Sequence, residues 1–91
     1  MSTDEPFKIG LLGHGTVGAA FEELLGERAG HVAATTGLRP EISGVLTRSR
    51  GDFQEILDGC DLVVELIGGL EPARDYVLRA MRAGRHVVTA N

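Results

Sequence analysis

The sequence predicts an α/β fold: a doubly wound parallel sheet of about four strands, in one domain spanning residues 1–91. Three observations carry this. Apolar runs at 7–12, 41–47, 62–67 and 86–91 alternate with segments of helical period, giving the order βαβαβαβ. The connections are short, which suits parallel strands joined by right-handed crossovers. The first run also passes straight into Gly13, Gly15 and Gly18, in G-x-G-x-x-G spacing, where the period changes from strand to helix.

Residues 1–6 (MSTDEP) are acidic and polar and predict a frayed tail. Residues 7–12 (FKIGLL) are nearly all apolar, as expected of a central strand covered on both faces, with Lys8 at its solvated end. From Thr16 onward, Val17, Ala20, Phe21, Leu24 and Leu25 form an inward helical stripe, with Glu22, Glu23, Glu27 and Arg28 off it. Gly26 and Gly30 weaken this helix, residues 31–36 add a turn or two, and Gly37 stops it. Pro40 then biases Arg39 towards an extended backbone. Residues 41–47 form the second strand, followed by Arg48, Ser49 and Arg50. Residues 52–58 predict a short helix with Phe53, Ile56 and Leu57 facing inward. Cys60 precedes the third strand (62–67) and is expected to be a buried, inert thiol, because no catalytic partner lies near it in sequence. Glu65 inside that strand is unusual. A buried carboxylate needs partners, so a structural hydrogen-bonding role is expected. Pro72 suits the first position of the next helix. There, Ala73, Val77, Ala80 and Met81 face inward and Arg74, Arg79 and Arg82 face out. Arg79 and Arg82 complement the negative end of the helix dipole, and Gly84 ends the helix. Residues 86–91 form the fourth strand, leaving the sheet incomplete at its C-terminal edge.

Composition narrows the function. The chain is 43% apolar and 24% charged with net charge −4, and it has no basic stripe, which argues against nucleic acid as a partner. No apolar run approaches the ~20 residues needed to cross a bilayer. The single cysteine cannot form an internal disulfide, and the start is not a secretory signal, so a cytoplasmic location is expected. His14, His31 and His86 show no metal-ligand spacing. There is no nucleophile elbow, paired-carboxylate constellation or P-loop, and so no catalytic or metal residue is assigned.

The glycine turn is the motif that carries chemistry. Gly13 permits a tight turn off the strand, Gly15 lets a pyrophosphate approach the backbone, and Gly18 lets the helix pack on the strand. The N–H groups at the helix start favour an anion. The expected ligand is a dinucleotide, which His14 contacts through its backbone rather than its ring. The alternative is a glycine turn chosen for strand–helix packing alone. The end of the second strand bears on cofactor type. An acid there holds the ribose hydroxyl of NAD, whereas an arginine accommodates the 2′-phosphate of NADP. This chain has Thr47 and Arg48, which favours NADP over NAD; in the alternative, Arg48 and Arg50 are solvated loop charges. Gly68 and Gly69 lie at the carboxyl end of the third strand, where the backbone passes the cofactor or simply turns.

Three segments, "KIGLLGHGTVG", "VVELIGGLEPARDYVLRAMRAGRHVV" and the final "TAN", resemble the N-terminal cofactor domain of homoserine dehydrogenase. The second segment is the specific one, and the resemblance covers most of residues 7–91. The stretch between Arg48 and Asp61 is shorter than is usual in the family. The resemblance implies NAD(P)-dependent interconversion of L-aspartate 4-semialdehyde and L-homoserine, on the route to threonine, methionine and isoleucine. It implies that Gly13, His14, Gly15, Thr16, Val17 and Gly18 cradle the pyrophosphate. Arg48 would lie near the adenosine ribose, with Gly68, Gly69, Thr89 and Asn91 flanking the nicotinamide. In the family a lysine normally follows "TAN", and the substrate domain with its catalytic lysine and aspartate lies further along. The sequence therefore resembles a fragment that binds cofactor, with the small-molecule substrate taken only by the full-length enzyme, and no dehydrogenase activity is expected of these residues alone. Aspartate dehydrogenase and dihydrodipicolinate reductase have similar cofactor domains. A stand-alone nucleotide-sensing module is the alternative of another class, although such modules commonly place an acid where this chain has Thr47-Arg48. A folded remnant that binds nothing is the third. The unfinished edge near Val87 and Val88 predicts some self-association into a homo-oligomer.

Overall fold

The computed structural model describes residues 5–68 and 71–90. The elements run β1 (Glu5–Leu12), α1 (Thr16–Thr36), β2 (Leu38–Leu46), α2 (Phe53–Asp58), β3 (Leu62–Glu65), α3 (Ala73–Arg82) and β4 (His86–Thr89). All strand pairs are parallel, in the order β2-β1-β3-β4. The α/β, Rossmann-like expectation is met.

The strand ends differ from expectation for identifiable reasons. Glu5 and Pro6 are part of β1 rather than a tail, because they pair with Leu38 and Arg39. β2 correspondingly starts at Leu38, three residues early. Gly37, in the left-handed conformation, turns the chain from α1 directly into it. β3 stops at Glu65 rather than Ile67, and the Ile67 N–H donates to the Glu65 carboxylate at 2.7 Å. Asn91 and Gly69 lie outside the described residues.

The sheet has two apolar faces. Ile9, Leu11 and Val64 form one core, against which Phe21 and Leu25 of α1 pack. Leu12, Leu46, Val63 and Ala80 form the other, with Phe53, Ile56, Leu57 and Cys60. One helix therefore covers one face and two cover the other, which is the doubly wound arrangement. The inward set of α2 is as the sequence predicts. Asp52 caps that helix, its side chain accepting from Glu55 N–H at 3.0 Å.

The stripe of α1 needs correction. Phe21 and Leu25 are half-buried, but Ala20 is exposed, as are Val17 (62%) and Leu24 (52%). The buried residues are Gly18, Ala29 and Ala33. Gly18 must sit on the backbone of the glycine turn, and this fixes the rotation of the helix. At about 100° per residue, Val17 and Leu24 then fall at the edge of the contact face, while Leu25 and Ala29 come to its centre. The helix runs unbroken through Gly26 and Gly30.

α3 shows the same effect. Ala73 and Ala80 are buried as expected, but Met81 is 59% exposed and Tyr76 packs on the core in its place. Pro72 precedes the first helical residue instead of occupying that position; its carbonyl accepts from Tyr76 N–H at 3.2 Å. At the C-terminus, Arg85 N–H bonds to the Ala80 carbonyl and Gly84 N–H to that of Met81, with Gly84 at φ 78°. This pairing satisfies the Ala80 and Met81 carbonyls and turns the chain into β4.

Candidate functional site

The glycine turn lies at the carboxyl end of β1, between the ends of β2 and β3. Gly13 N–H donates to the Leu46 carbonyl at 2.8 Å, and Leu66 N–H donates to the Leu12 carbonyl at 2.8 Å. These bonds tie the turn to both neighbours at the point where the strand order reverses direction. In doubly wound sheets, ligands bind at such a crevice. Gly13 has φ 96°, and a Cβ there would stand 2.9 Å from Ile67 N, so only glycine fits.

The start of α1 is prepared for an anion. Its first backbone bond runs from Ala19 N–H to the Gly15 carbonyl at 2.9 Å, so the N–H groups before Ala19 have no intrahelical acceptor. No side chain caps them, and no acid lies in the first turn. A Cβ on Gly15 would meet nothing within 4 Å. That empty space beside outward N–H groups is what a pyrophosphate requires. The residues present therefore fit a dinucleotide. The His14 ring turns away to the helix flank, where Nε2 lies 2.7 Å from Glu22 Oε1.

A cleft of about 640 Å³ opens over this turn. From the glycine turn it takes Gly13, His14, Gly15, Thr16 and Val17, and from the end of β2 it takes Leu46, Thr47 and Arg48. Leu66, Ile67 and Gly68 after β3, with Pro72 and Tyr76 at α3, close the other side. Seven sequence-predicted residues are thus brought together: Gly13, His14, Gly15, Thr16, Val17, Arg48 and Gly68. Gly18 lies beneath the cleft as a packing residue. Thr89 is not in the wall; its hydroxyl donates to Glu65, whose other carboxylate oxygen accepts from the N–H of Ile67 in the wall.

Pro72 and Tyr76 were not anticipated. Tyr76 reaches the wall because α3 follows β3 directly and its ring stacks on Phe53, with centroids 4.5 Å apart. Only the inward phase of Tyr76 on α3 could have signalled this, and the Val77–Met81 stripe obscured it.

The loop after β2 is folded tightly. Thr47 N–H donates to the Arg50 carbonyl at 2.9 Å, and the Thr47 hydroxyl oxygen accepts from Arg50 N–H at 3.0 Å. This turn leaves Arg48 at the cleft and Arg50 off its wall. The next acid along the chain, Asp52, is engaged in capping α2.

Cys60 is buried, with its sulfur 3.6 Å from the Leu57 carbonyl. Burial pushes its thiol pKa up, opposed by a backbone hydrogen bond with Gly10 and the charge of Arg85. It lines a separate hollow of about 550 Å³ at the opposite end of the strands, away from the residues above. Among the described residues no His, Cys, Asp and Glu cluster could hold a metal ion, and no helix is long and apolar enough to cross a membrane.

Comparison with known proteins agrees with this geometry. Residues 13–91 match the profile described as "Homoserine dehydrogenase, NAD binding domain". The chain is 37% identical to homoserine dehydrogenase of Synechocystis sp. over 92% of its own length and 23% of that enzyme. It is 38% identical to the Corynebacterium glutamicum enzyme over 91% of its length and 22% of the relative. A crystal structure of S. aureus homoserine dehydrogenase superposes with a TM-score of 0.89 at 30% identity, covering 97% of this chain and 26% of that one. The Thiobacillus denitrificans enzyme superposes with a TM-score of 0.81 at 34% identity, covering all of this chain and 25% of that one. The chain thus spans about a quarter of the length of the relatives it matches. A glycine turn, a cleft at the strand reversal and this likeness over nearly the whole chain place it in the homoserine dehydrogenase family, as an NAD-binding domain that takes a nicotinamide cofactor.

Proposed function

We propose that the chain is the cofactor-binding part of an oxidoreductase interconverting L-aspartate 4-semialdehyde and L-homoserine, and that it takes NADP in preference to NAD. In this proposal residues 1–91 form the dinucleotide domain, and the groups that bind and activate the semialdehyde belong to the rest of a longer enzyme. The bound cofactor supplies the hydride chemistry. The chain's own residues bind and orient it, which fixes one reactant for attack.

Arg48 is the observation that carries the cofactor preference. It sits in the cleft wall at the end of β2, next to Thr47 and with no acid beside it. A ribose with free hydroxyls would find no carboxylate there, whereas a 2′-phosphate would meet a guanidinium fork. The pyrophosphate rests on the N–H groups at the start of α1 that precede Ala19 and have no intrahelical acceptor, the Gly13 N–H being taken by the Leu46 carbonyl.

Titration of wild type and Arg48→Ala with NADPH and NADH tests this. The substitution is expected to weaken NADPH about 10- to 100-fold, the worth of a charge-assisted hydrogen bond, and to leave NADH within about twofold. Equal weakening of both cofactors would show that Arg48 does not hold a 2′-phosphate.

A further inference from the structure

Thr47, the first residue after β2, holds the loop that follows it. Its backbone N–H donates to the Arg50 carbonyl at 2.9 Å. Its hydroxyl oxygen accepts from Arg50 N–H at 3.0 Å and from Ser49 N–H at 3.3 Å. Three hydrogen bonds thus converge on one threonine and bracket Arg48. The far end of the loop is held as well. Gly51 has φ 91°, and a Cβ there would press on the Val45 carbonyl oxygen, so the chain leaves the loop lying against β2 itself. Asp52 then caps α2.

The loop carries two arginines, Arg48 and Arg50, and either guanidinium has the charge and the donor fork to bind a phosphate. The turn places Arg48 in the cleft wall and leaves Arg50 off it. The path of the turn therefore decides which of them a ligand meets. The same bonds engage the acceptors at this strand end. A hydroxyl oxygen has two lone pairs, and the Thr47 oxygen already receives two N–H groups. The Leu46 and Arg50 carbonyls accept from the N–H groups of Gly13 and Thr47. A plain ribose hydroxyl, which is held by donating to an acid, meets acceptors that are in use. A phosphate, which accepts, meets a guanidinium.

We propose that Thr47 is a positioning residue for cofactor choice: its hydroxyl pins the loop so that Arg48, and not Arg50, meets a phosphate on the cofactor's ribose. This rests on the cofactor preference proposed above. Thr47 acts through Arg48, without holding the phosphate itself.

The test is the ratio of NADPH to NADH affinity, read by direct titration of the purified chain and its variants. Thr47→Val removes the hydroxyl at nearly constant shape and should lower the ratio about fivefold, the worth of one neutral hydrogen bond. Thr47→Ser keeps the hydroxyl and should keep the wild-type ratio. A merely structural hydroxyl would weaken both cofactors alike and leave the ratio where it was. Arg50→Ala should also leave it unchanged, because Arg50 stands off the cleft wall. Adding Thr47→Val to Arg48→Ala should lower the ratio no further, because the arginine through which Thr47 acts is gone. Thr47→Ala repeats the comparison if Thr47→Val fails to fold. An unchanged ratio in Thr47→Val beside a lowered one in Arg48→Ala would overturn this assignment alone. So would a further fall in the double variant, which would mark direct contact between Thr47 and the phosphate. A wild type with no preference for NADPH, or Arg48→Ala with the wild-type ratio, would overturn the cofactor preference, and this proposal with it.

Discussion

Gly18 of α1 rests directly on the carbonyl oxygen of Gly13: a Cβ on Gly18 would approach that oxygen to well inside 3.0 Å. The obstacle is backbone, which cannot swing aside as a flexible side chain could. The contact holds the start of α1 against the turn and determines which face of the helix meets the sheet.

Gly18→Ala is therefore expected to destabilise the chain by about 1–3 kcal/mol, the usual cost of overpacking. Gly15→Ala should behave differently. Its Cβ would project into open space, and its φ of −81° suits alanine, so stability should change by less than about 0.5 kcal/mol. The same Cβ would project into the proposed pyrophosphate site, so NADPH affinity should fall steeply. Denaturant unfolding and cofactor titration of both variants separate the packing glycine from the binding glycine. A large loss of stability in Gly15→Ala would contradict the assignment.

Phe53 is the aromatic anchor of the face covered by α2 and α3. It is buried, its ring stacks on Tyr76 at 4.5 Å, and the Arg79 guanidinium lies 4.6 Å above it. Phe53→Ala should cost about 3–5 kcal/mol, a large share of the 5–15 kcal/mol typical of a domain, and should loosen the cleft by freeing Tyr76. Arg79→Ala should cost no more than about 1 kcal/mol, because its side chain is solvent-exposed and its pair with Asp75 lies at the surface. Comparable losses in the two variants would show that the stack is not the anchor.

Cys60 predicts a pH dependence of stability. Burial raises its pKa in the folded state, so above the unfolded pKa the unfolded chain gives up the proton more readily than the native one. This contribution is complete below the unfolded pKa of about 8.5 and is lost as pH rises through the folded value. Unfolding curves between about pH 8 and 10 should show stability falling for wild type, with a shallower fall for Cys60→Ala. Identical slopes would sink this account. The unfolded thiol should also react with alkylating reagents far faster than the folded one.

Local signals in the sequence are decisive where one residue has one dominant constraint. Gly37 ends α1 in the left-handed conformation because that position needs no Cβ. Asp52 begins α2, and Phe53, Ile56 and Leu57 point inward because a short helix has only one way to bury three large apolar groups. Glu65 was anomalous enough to demand partners, and it has them. The rotation of α1 is ambiguous in the sequence because the stripe through Val17 and Leu24 is as regular as the true contact face. Only the approach of Gly18 to Gly13 distinguishes the two. Met81 and Tyr76 on α3 exchange roles for a similar reason, since the stacking partner of Tyr76 comes from another helix.

By itself, the sequence determined the order of strands and helices, the glycine turn and the family resemblance. Each depends on residues adjacent in the chain, where periodicity and backbone conformational preference act directly. Tertiary structure decided how Arg48, Ile67 and Tyr76 come to face one cleft, and that the Thr89 hydroxyl donates to Glu65. Those depend on strand pairing across the sheet: β1 lies between β2 and β3, and β4 brings Thr89 opposite Glu65. Such contacts join residues 24 positions apart, at distances where local pattern carries no information about which side chains meet.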